Sequence, residues 1–195
     1  MPHPDFNPPG EPPKISGRRS TITGLFFTAL TPYLEPTEAQ VDKALDVLGM
    51  GRGSACVCAY CGDKKSEWDH FRAVVKDRKP TGFITEIANL VPSCGKCNQS
   101  RGNTDWKKWM LSSAKQSPKT RGIKDIDARI ARLEDFEKWS QPVQIDYAGL
   151  AGEAAWNKHL QHLEATLKLL EEAEEHAKEL RTAARAFATR PRTDA

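Results

Sequence analysis

The chain has 195 residues, of which 38% are hydrophobic and 28% are charged, and its formal net charge is +3. That length suits one compact domain with an appended helical segment, and it allows a core that needs no disulfides. No apolar run approaches the roughly 20 residues that cross a bilayer, and the first residues do not resemble a secretory leader, so we expect a cytoplasmic protein rather than a membrane or secreted one. The small net charge does not by itself indicate a nucleic-acid partner.

The first part of the chain divides into two segments. Residues 1–20 are crowded with proline and carry a small basic cluster, which predicts a flexible arm. Residues 21–55 are predicted to be a helical segment. Thr37 can cap a helix that begins near residue 36, and Gln40 stands three residues later as its capping-box partner, ahead of an apolar stripe. A run of spaced glycines ends this helix.

Residues 56–115 form the predicted central core. Its β-rich and turn-rich stretches indicate short strands, and the apolar spacing that follows them indicates helices. In chain order we expect a strand over 68–75, a basic turn over 76–82, further extended chain over 82–87 and 90–91, and helices over 94–102 and 105–113.

Residues 116–190 are predicted to be a helical hairpin, and residues 191–195 a tail. One helix is expected over 123–139 and a long one over 153–188. The apolar stripe of the long helix is narrow and close to a heptad repeat. This stripe predicts packing either on the preceding helix or on a second copy of the chain, which would make a homodimer through the C-terminal helices.

Four of the five cysteines form two C-x-x-C pairs, Cys58 with Cys61 and Cys94 with Cys97. This spacing lets one turn present two sulfurs to a single ion, and four thiolates make a closed tetrahedral Zn²⁺ site. Zinc bound in this way is structural rather than catalytic. The alternatives are reduced dithiol pairs or an iron cluster. Cys56 is left over, and the C-V-C sequence that it begins leaves open which of the two cysteines is the ligand.

Three polar residues lie between and beside the cysteine pairs. Asp69 and Asn98 offer hard oxygen donors, which suit a Mg²⁺ or Mn²⁺ ion that keeps several waters and binds a phosphate. His70 has a side chain that titrates near neutral pH, so it is a candidate general base for one of those waters. These residue types make the stretch a candidate for a second metal site beside the zinc.

The motifs of this stretch resemble those of the HNH nuclease family. They are D-H at residues 69–70, N-L at 89–90, and C-G-K-C-N-Q-S-R-G-N at 94–103. The resemblance is to the zinc-bound four-cysteine form, in an H-N-N variant because Asn98 stands where other members have histidine. It implies an α+β fold, with a small ββα-metal core and a four-cysteine zinc site embedded in a mainly helical chain with a long C-terminal helix.

The resemblance also implies roles for the site residues. His70 is expected to deprotonate the attacking water, while Asp69 and Asn98 hold one divalent metal, Mg²⁺ or Mn²⁺. Asn89 is expected to tie down the loop between the strands so that His70 points correctly. The products of such an enzyme carry a 5′-phosphate and a 3′-hydroxyl, and proteins of this size with this module resemble restriction enzymes or nucleases of phages and mobile elements.

Basic residues are concentrated in the central core, whereas the last helix is rich in glutamate. This asymmetry predicts that the core faces the phosphates of double-stranded DNA. The predicted DNA-binding residues are Lys76, Arg78, Lys79, Lys96, Arg101, Lys107 and Lys108. A different class of function fits the same residues: a zinc-stabilised DNA-binding or regulatory module without nuclease activity.

Overall fold

The computed structural model describes residue 5 and residues 10–190, so the predicted tail and part of the predicted arm lie outside the described residues. The chain divides into two compact units. One comprises Met1–Phe26 together with Glu153–Ala195, and the other comprises Phe27–Gly152. None of the described helices is both long enough and apolar enough to span a bilayer.

The first unit joins the N-terminal segment to the long last helix, α7 (Glu153–Ala188). A short 3-10 helix, Ile15–Arg18, leads into α1 (Arg19–Thr28). The carboxylate of Glu174 is buried and accepts the backbone N–H groups of Ile15 at 2.5 Å and Ser16 at 3.3 Å. It thereby satisfies two of the N–H groups that a helix start leaves unpaired. The predicted arm did not include this helix.

The second unit is built on two helices, α2 (Glu38–Val47) and α5 (Ile126–Trp139), which pack together. The predicted capping box is confirmed, since Thr37 and Gln40 exchange the two expected hydrogen bonds at the start of α2. Helix α5 belongs to the core of this unit, where Leu133 and Phe136 are buried. The pairing of α5 with the last helix in a hairpin stays a prediction.

A small β-sheet and a helix form the centre of the second unit. Strand β1 (Glu67–His70) pairs antiparallel with β4 (Leu90–Ser93), and α3 (Gly95–Arg101) follows β4 directly. This strand, strand and helix arrangement, with the long C-terminal helix, confirms the predicted α+β fold. Strand β1 ends at residue 70, whereas the sequence predicts a strand over 68–75.

The chain between β1 and β4 makes a short hairpin of β2 (Val75–Lys76) and β3 (Lys79–Pro80). Its two turn residues, Asp77 and Arg78, both have positive φ, at 51° and 61°, the backbone that a tight two-residue hairpin requires. The remaining described α-helices of this unit are α4 (Trp106–Met110) and α6 (Tyr147–Ala151), and a 3-10 helix, Ile87–Asn89, leads into β4.

Candidate nuclease centre and zinc site

The four predicted zinc ligands converge in the core of the second unit. Cys58 and Cys61 lie in a turn before β1, Cys94 caps the start of α3, and Cys97 lies in its first turns. All four are buried, and their sulfurs lie within 4.8 Å of one another. The Sγ atoms of Cys61 and Cys94 are 3.7 Å apart. Tetrahedral zinc with Zn–S bonds of about 2.3 Å places sulfurs about 3.8 Å apart, so the cluster fits zinc.

Hydrogen bonds among the four cysteines shift the pKa values of two thiols in opposite directions. Hydrogen bonds with Cys61 and Cys97 lower the pKa of Cys58 to about 3, whereas hydrogen bonds with Cys58 and Cys61 raise the pKa of Cys97. A cation that binds all four groups as thiolates displaces the protons of these thiols. Cys56 is exposed and lies outside the cluster, so the second cysteine of the C-V-C sequence is the one that joins it.

Two arginines from beyond the central core support the zinc site. Arg121 donates to the Sγ of Cys97 at 3.6 Å and to the carboxylate of Asp63 at 2.6 Å. Arg129, on α5, donates to the backbone carbonyl of Cys58 at 3.2 Å. Four thiolates around Zn²⁺ leave two net negative charges, which a neighbouring guanidinium offsets. The sequence did not predict these contacts because the residues are far apart along the chain.

Alternate residues of β1 point toward α3. Asp69, only 5% exposed, accepts hydrogen bonds on Oδ2 from the Tyr60 hydroxyl at 2.8 Å and from Arg101 at 2.6 Å. Burial raises the pKa of Asp69 above its ordinary value, while the Arg101 guanidinium opposes that shift. Both hydrogen bonds use Oδ2, so Oδ1 is the oxygen that Asp69 can offer to a cation.

Asn98, on α3, faces the side of β1 that carries Asp69. Its Nδ2 donates to the Oε2 of Glu67 at 2.9 Å. On β1, Glu67 stands two residues before Asp69, and on α3, Asn98 stands one helical turn before Arg101. Hydrogen bonds join Glu67 to Asn98 and Asp69 to Arg101. The two predicted metal ligands, Asp69 and Asn98, therefore occupy facing surfaces of β1 and α3. Glu67 was not among the predicted site residues, although its place two residues from Asp69 on a strand puts both on one face.

The ring of His70, at the end of β1, forms a hydrogen bond with Thr85. Its Nε2 lies 2.8 Å from the Oγ1 of Thr85. The backbone of Thr85 is fixed by hydrogen bonds with Pro32 and Leu34. Burial, aided by the charge of Arg101, lowers the pKa of His70 below its ordinary value, which favours the neutral imidazole. No sequence motif identified Thr85.

Asn89 is fully buried where the chain returns toward β4. Its Oδ1 accepts the backbone N–H of Arg72 at 2.8 Å, and its Nδ2 donates to the carbonyls of Arg72 at 3.0 Å and Ile84 at 3.1 Å. Its own carbonyl accepts the N–H of Phe71 at 2.8 Å. Asn89 thus holds the two residues that follow His70, which is where β1 ends.

Arg101 differs from the other residues predicted to bind DNA, since it is buried, with 3% of its surface exposed. Besides Asp69, its guanidinium binds the carbonyls of His70 and Phe71. This arrangement makes it an internal support for the end of β1, and it corrects the expectation that Arg101 faces phosphate. The other predicted residues are exposed: Lys76, Arg78, Lys79, Lys96, Lys107 and Lys108. Of these, Lys107 also forms an ion pair with Glu134.

Comparison with known proteins bears on this centre. Residues 58–104 match the model of a family described as HNH endonuclease, which confirms the resemblance for that segment. The CRISPR-associated endonuclease Cas9 of Corynebacterium diphtheriae is 41% identical over 63 residues, covering 30% of this chain and 5% of that protein. The chain thus spans a small fraction of that relative's length. No solved structure matches the chain. These matches support a nuclease module within the second unit.

Proposed function

We propose that the protein is a metal-dependent endonuclease that hydrolyses phosphodiester bonds of double-stranded DNA, leaving 5′-phosphate and 3′-hydroxyl ends. The observation that carries this proposal is that β1 and α3 face each other next to the four-cysteine cluster. Asp69 and Asn98 lie on these facing surfaces, within a segment that matches the HNH endonuclease family. The cluster holds structural zinc, which fixes the start of α3 relative to the turn before β1.

His70 is the general base in this proposal. Its Nε2 is engaged by Thr85, so Nδ1 is the ring nitrogen that takes the proton of the attacking water. The lowered pKa keeps the imidazole unprotonated at neutral pH. Asn89 contributes by holding the chain after His70, and so fixes the direction of the ring.

Asp69, through Oδ1, and Asn98, through its amide oxygen, would hold the catalytic cation. A bound Mg²⁺ or Mn²⁺ supplies stabilisation of the negative charge on the phosphate and the departing 3′-oxygen. Both ligands lie on elements that other contacts hold in place. Arg101 binds the backbone carbonyls at the end of β1, and the cysteine cluster includes Cys94 and Cys97 at the start of α3. Little reorganisation is therefore needed when the cation and the phosphate bind.

The DNA backbone is proposed to lie across the exposed basic groups of the second unit. The β2–β3 hairpin presents Lys76, Arg78 and Lys79, while Lys96 projects from α3 and Lys107 and Lys108 from α4. Such contacts to phosphate carry no sequence information. A restriction-type enzyme would need base contacts in addition, and pairing of two copies through α7 stays a prediction. Leu169 and Leu180 of α7 are more than half exposed, at 64% and 61%, which is consistent with such pairing.

The test is incubation of purified, zinc-loaded protein with plasmid DNA and Mg²⁺ or Mn²⁺, followed by sequencing of the ends. We expect metal-dependent cleavage that His70→Ala abolishes while DNA binding is retained. Discrete ends would indicate a site-specific enzyme. The competing function, a zinc-stabilised binding module, is favoured by one observation, the neutralisation of Asp69 by Arg101. It gains if the protein binds DNA but shows no cleavage with Mg²⁺, Mn²⁺, Co²⁺ or Ni²⁺.

A further inference from the structure

The contact between Glu67 and Asn98 has a definite chemical direction. A side-chain amide has a donor end and an acceptor end, whereas a carboxylate can only accept hydrogen bonds. The Oε2 of Glu67 lies 2.9 Å from the amide of Asn98, so the nitrogen of that amide must face Glu67. The oxygen, the only end of the amide that can bind a cation, is therefore turned away from Glu67.

The carboxylate of Glu67 lies close to the start of α3. A Cβ placed on Gly95 would lie 3.0 Å from the Oε1 of Glu67, so the absence of a side chain at Gly95 makes room for the carboxylate. The preceding residue, Ser66, accepts the backbone N–H of Gly95 on its Oγ at 3.0 Å. Glu67 is half-buried between these groups. The start of α3 thus leaves room for the Glu67 carboxylate beside Asn98.

We propose that Glu67 is a positioning residue that orients the amide of Asn98, so that its oxygen faces the catalytic cation. This inference rests on the proposed function, because it concerns the same metal site. Without Glu67 the amide is free to rotate by half a turn, and in one of its two orientations it presents N–H groups to the cation. Partners that orient metal ligands in this way contribute about 10- to 100-fold to metal affinity or activity.

The test is Mn²⁺ binding by the zinc-loaded full chain, measured from the electron paramagnetic resonance signal of free Mn²⁺. We expect Glu67→Ala to weaken Mn²⁺ binding by about 10- to 100-fold. Glu67→Gln retains an acceptor oxygen and is expected to restore most of that affinity. In an Asn98→Ala background, Glu67→Ala should have little further effect, because the amide that it orients is gone. Glu179→Ala, an exposed glutamate of the other unit, is the matched control.

Three results would overturn the inference. Unchanged Mn²⁺ affinity in folded Glu67→Ala protein would show that Asn98 needs no orienting group. A loss in Glu67→Gln as large as that in Glu67→Ala would make Glu67 a direct ligand instead. Additive losses in the double variant would show that the two residues act separately. Wild-type protein that binds no Mn²⁺ and cuts no DNA would instead overturn the proposed function, and the inference with it.

Discussion

The guanidinium of Arg101 lies 2.6 Å from the carboxylate of Asp69, and both side chains are almost completely buried. This ion pair joins α3 to β1, and the same guanidinium also binds the backbone carbonyls of the two residues that follow Asp69. It ties together the two elements that carry the proposed metal ligands. Separating the two groups would leave a buried charge without its partner, which is costly, so the ion pair keeps β1 and α3 together.

We predict that Arg101→Ala lowers the free energy of unfolding by about 3–5 kcal/mol, because it leaves the carboxylate of Asp69 buried without its cationic partner. Urea denaturation of zinc-loaded protein measures this change. The comparison is Lys96→Ala, on the exposed side of the same helix, which should change stability by less than about 0.5 kcal/mol. If Arg101→Ala left stability unchanged and weakened only DNA binding, Arg101 would be a phosphate contact after all.

We predict that Arg121→Ala accelerates loss of zinc, because the thiolate of Cys97 loses its guanidinium donor. Zinc affinity should fall by about 10- to 100-fold, as for other residues that support metal ligands. A colorimetric chelator that follows zinc release measures the effect. Lys119→Ala, an exposed cation two residues away, is the control and should release zinc at the wild-type rate. Equal rates for the two variants would refute a role for Arg121.

The pH dependence of cleavage should report His70. A general base acts in its unprotonated form, so the rate is expected to rise with pH through the pKa of His70 and then level off. Because burial and Arg101 lower that pKa, the midpoint should lie below the ordinary histidine value of about 6.5. Single-turnover rates at saturating metal measure the profile. A midpoint above that value would contradict the environment described for this ring.

Replacing Lys76, Arg78 and Lys79 together by alanine should weaken DNA binding without changing the fold, because all three side chains are exposed on the β2–β3 hairpin. The slope of log affinity against log salt should become shallower by about 0.9 for each phosphate that the variant no longer neutralises. Fluorescence anisotropy at several salt concentrations measures both effects. Lys168→Ala on α7 serves as the control, and an unchanged slope in the triple variant would place the DNA elsewhere.

The features that the sequence predicted correctly are those with local signals. The two C-x-x-C pairs, the capping box at Thr37 and the bounds of α7 each depend on residues a few positions apart. The bounds of helix α1 were not predicted, because its glycine and β-branched residues are poor helix formers. Its neighbour, the 3-10 helix, depends on Glu174, a residue more than 150 positions away.

The partners of the site residues could not be predicted for a related reason. Thr85 beside His70, Glu67 beside Asn98, and Arg101 beside Asp69 are pairings set by how β1, α3 and the intervening chain pack. A basic residue in a charged stretch is usually exposed, and only the three-dimensional arrangement reveals that Arg101 is internal. The motif identified the residues of the centre, but not the neighbours that orient them.

The hydrogen bond from Arg121 to Cys97 has a practical consequence for anyone who transplants this module. A fragment trimmed to residues 58–104, or to the predicted core at 56–115, would omit both arginines that touch the cysteine cluster. It would also omit Phe136, whose ring lies 5.3 Å from that of Phe71 between centroids, and Leu133 of the same apolar cluster. Chimeras and minimal expression fragments should therefore extend through residue 139, where α5 ends.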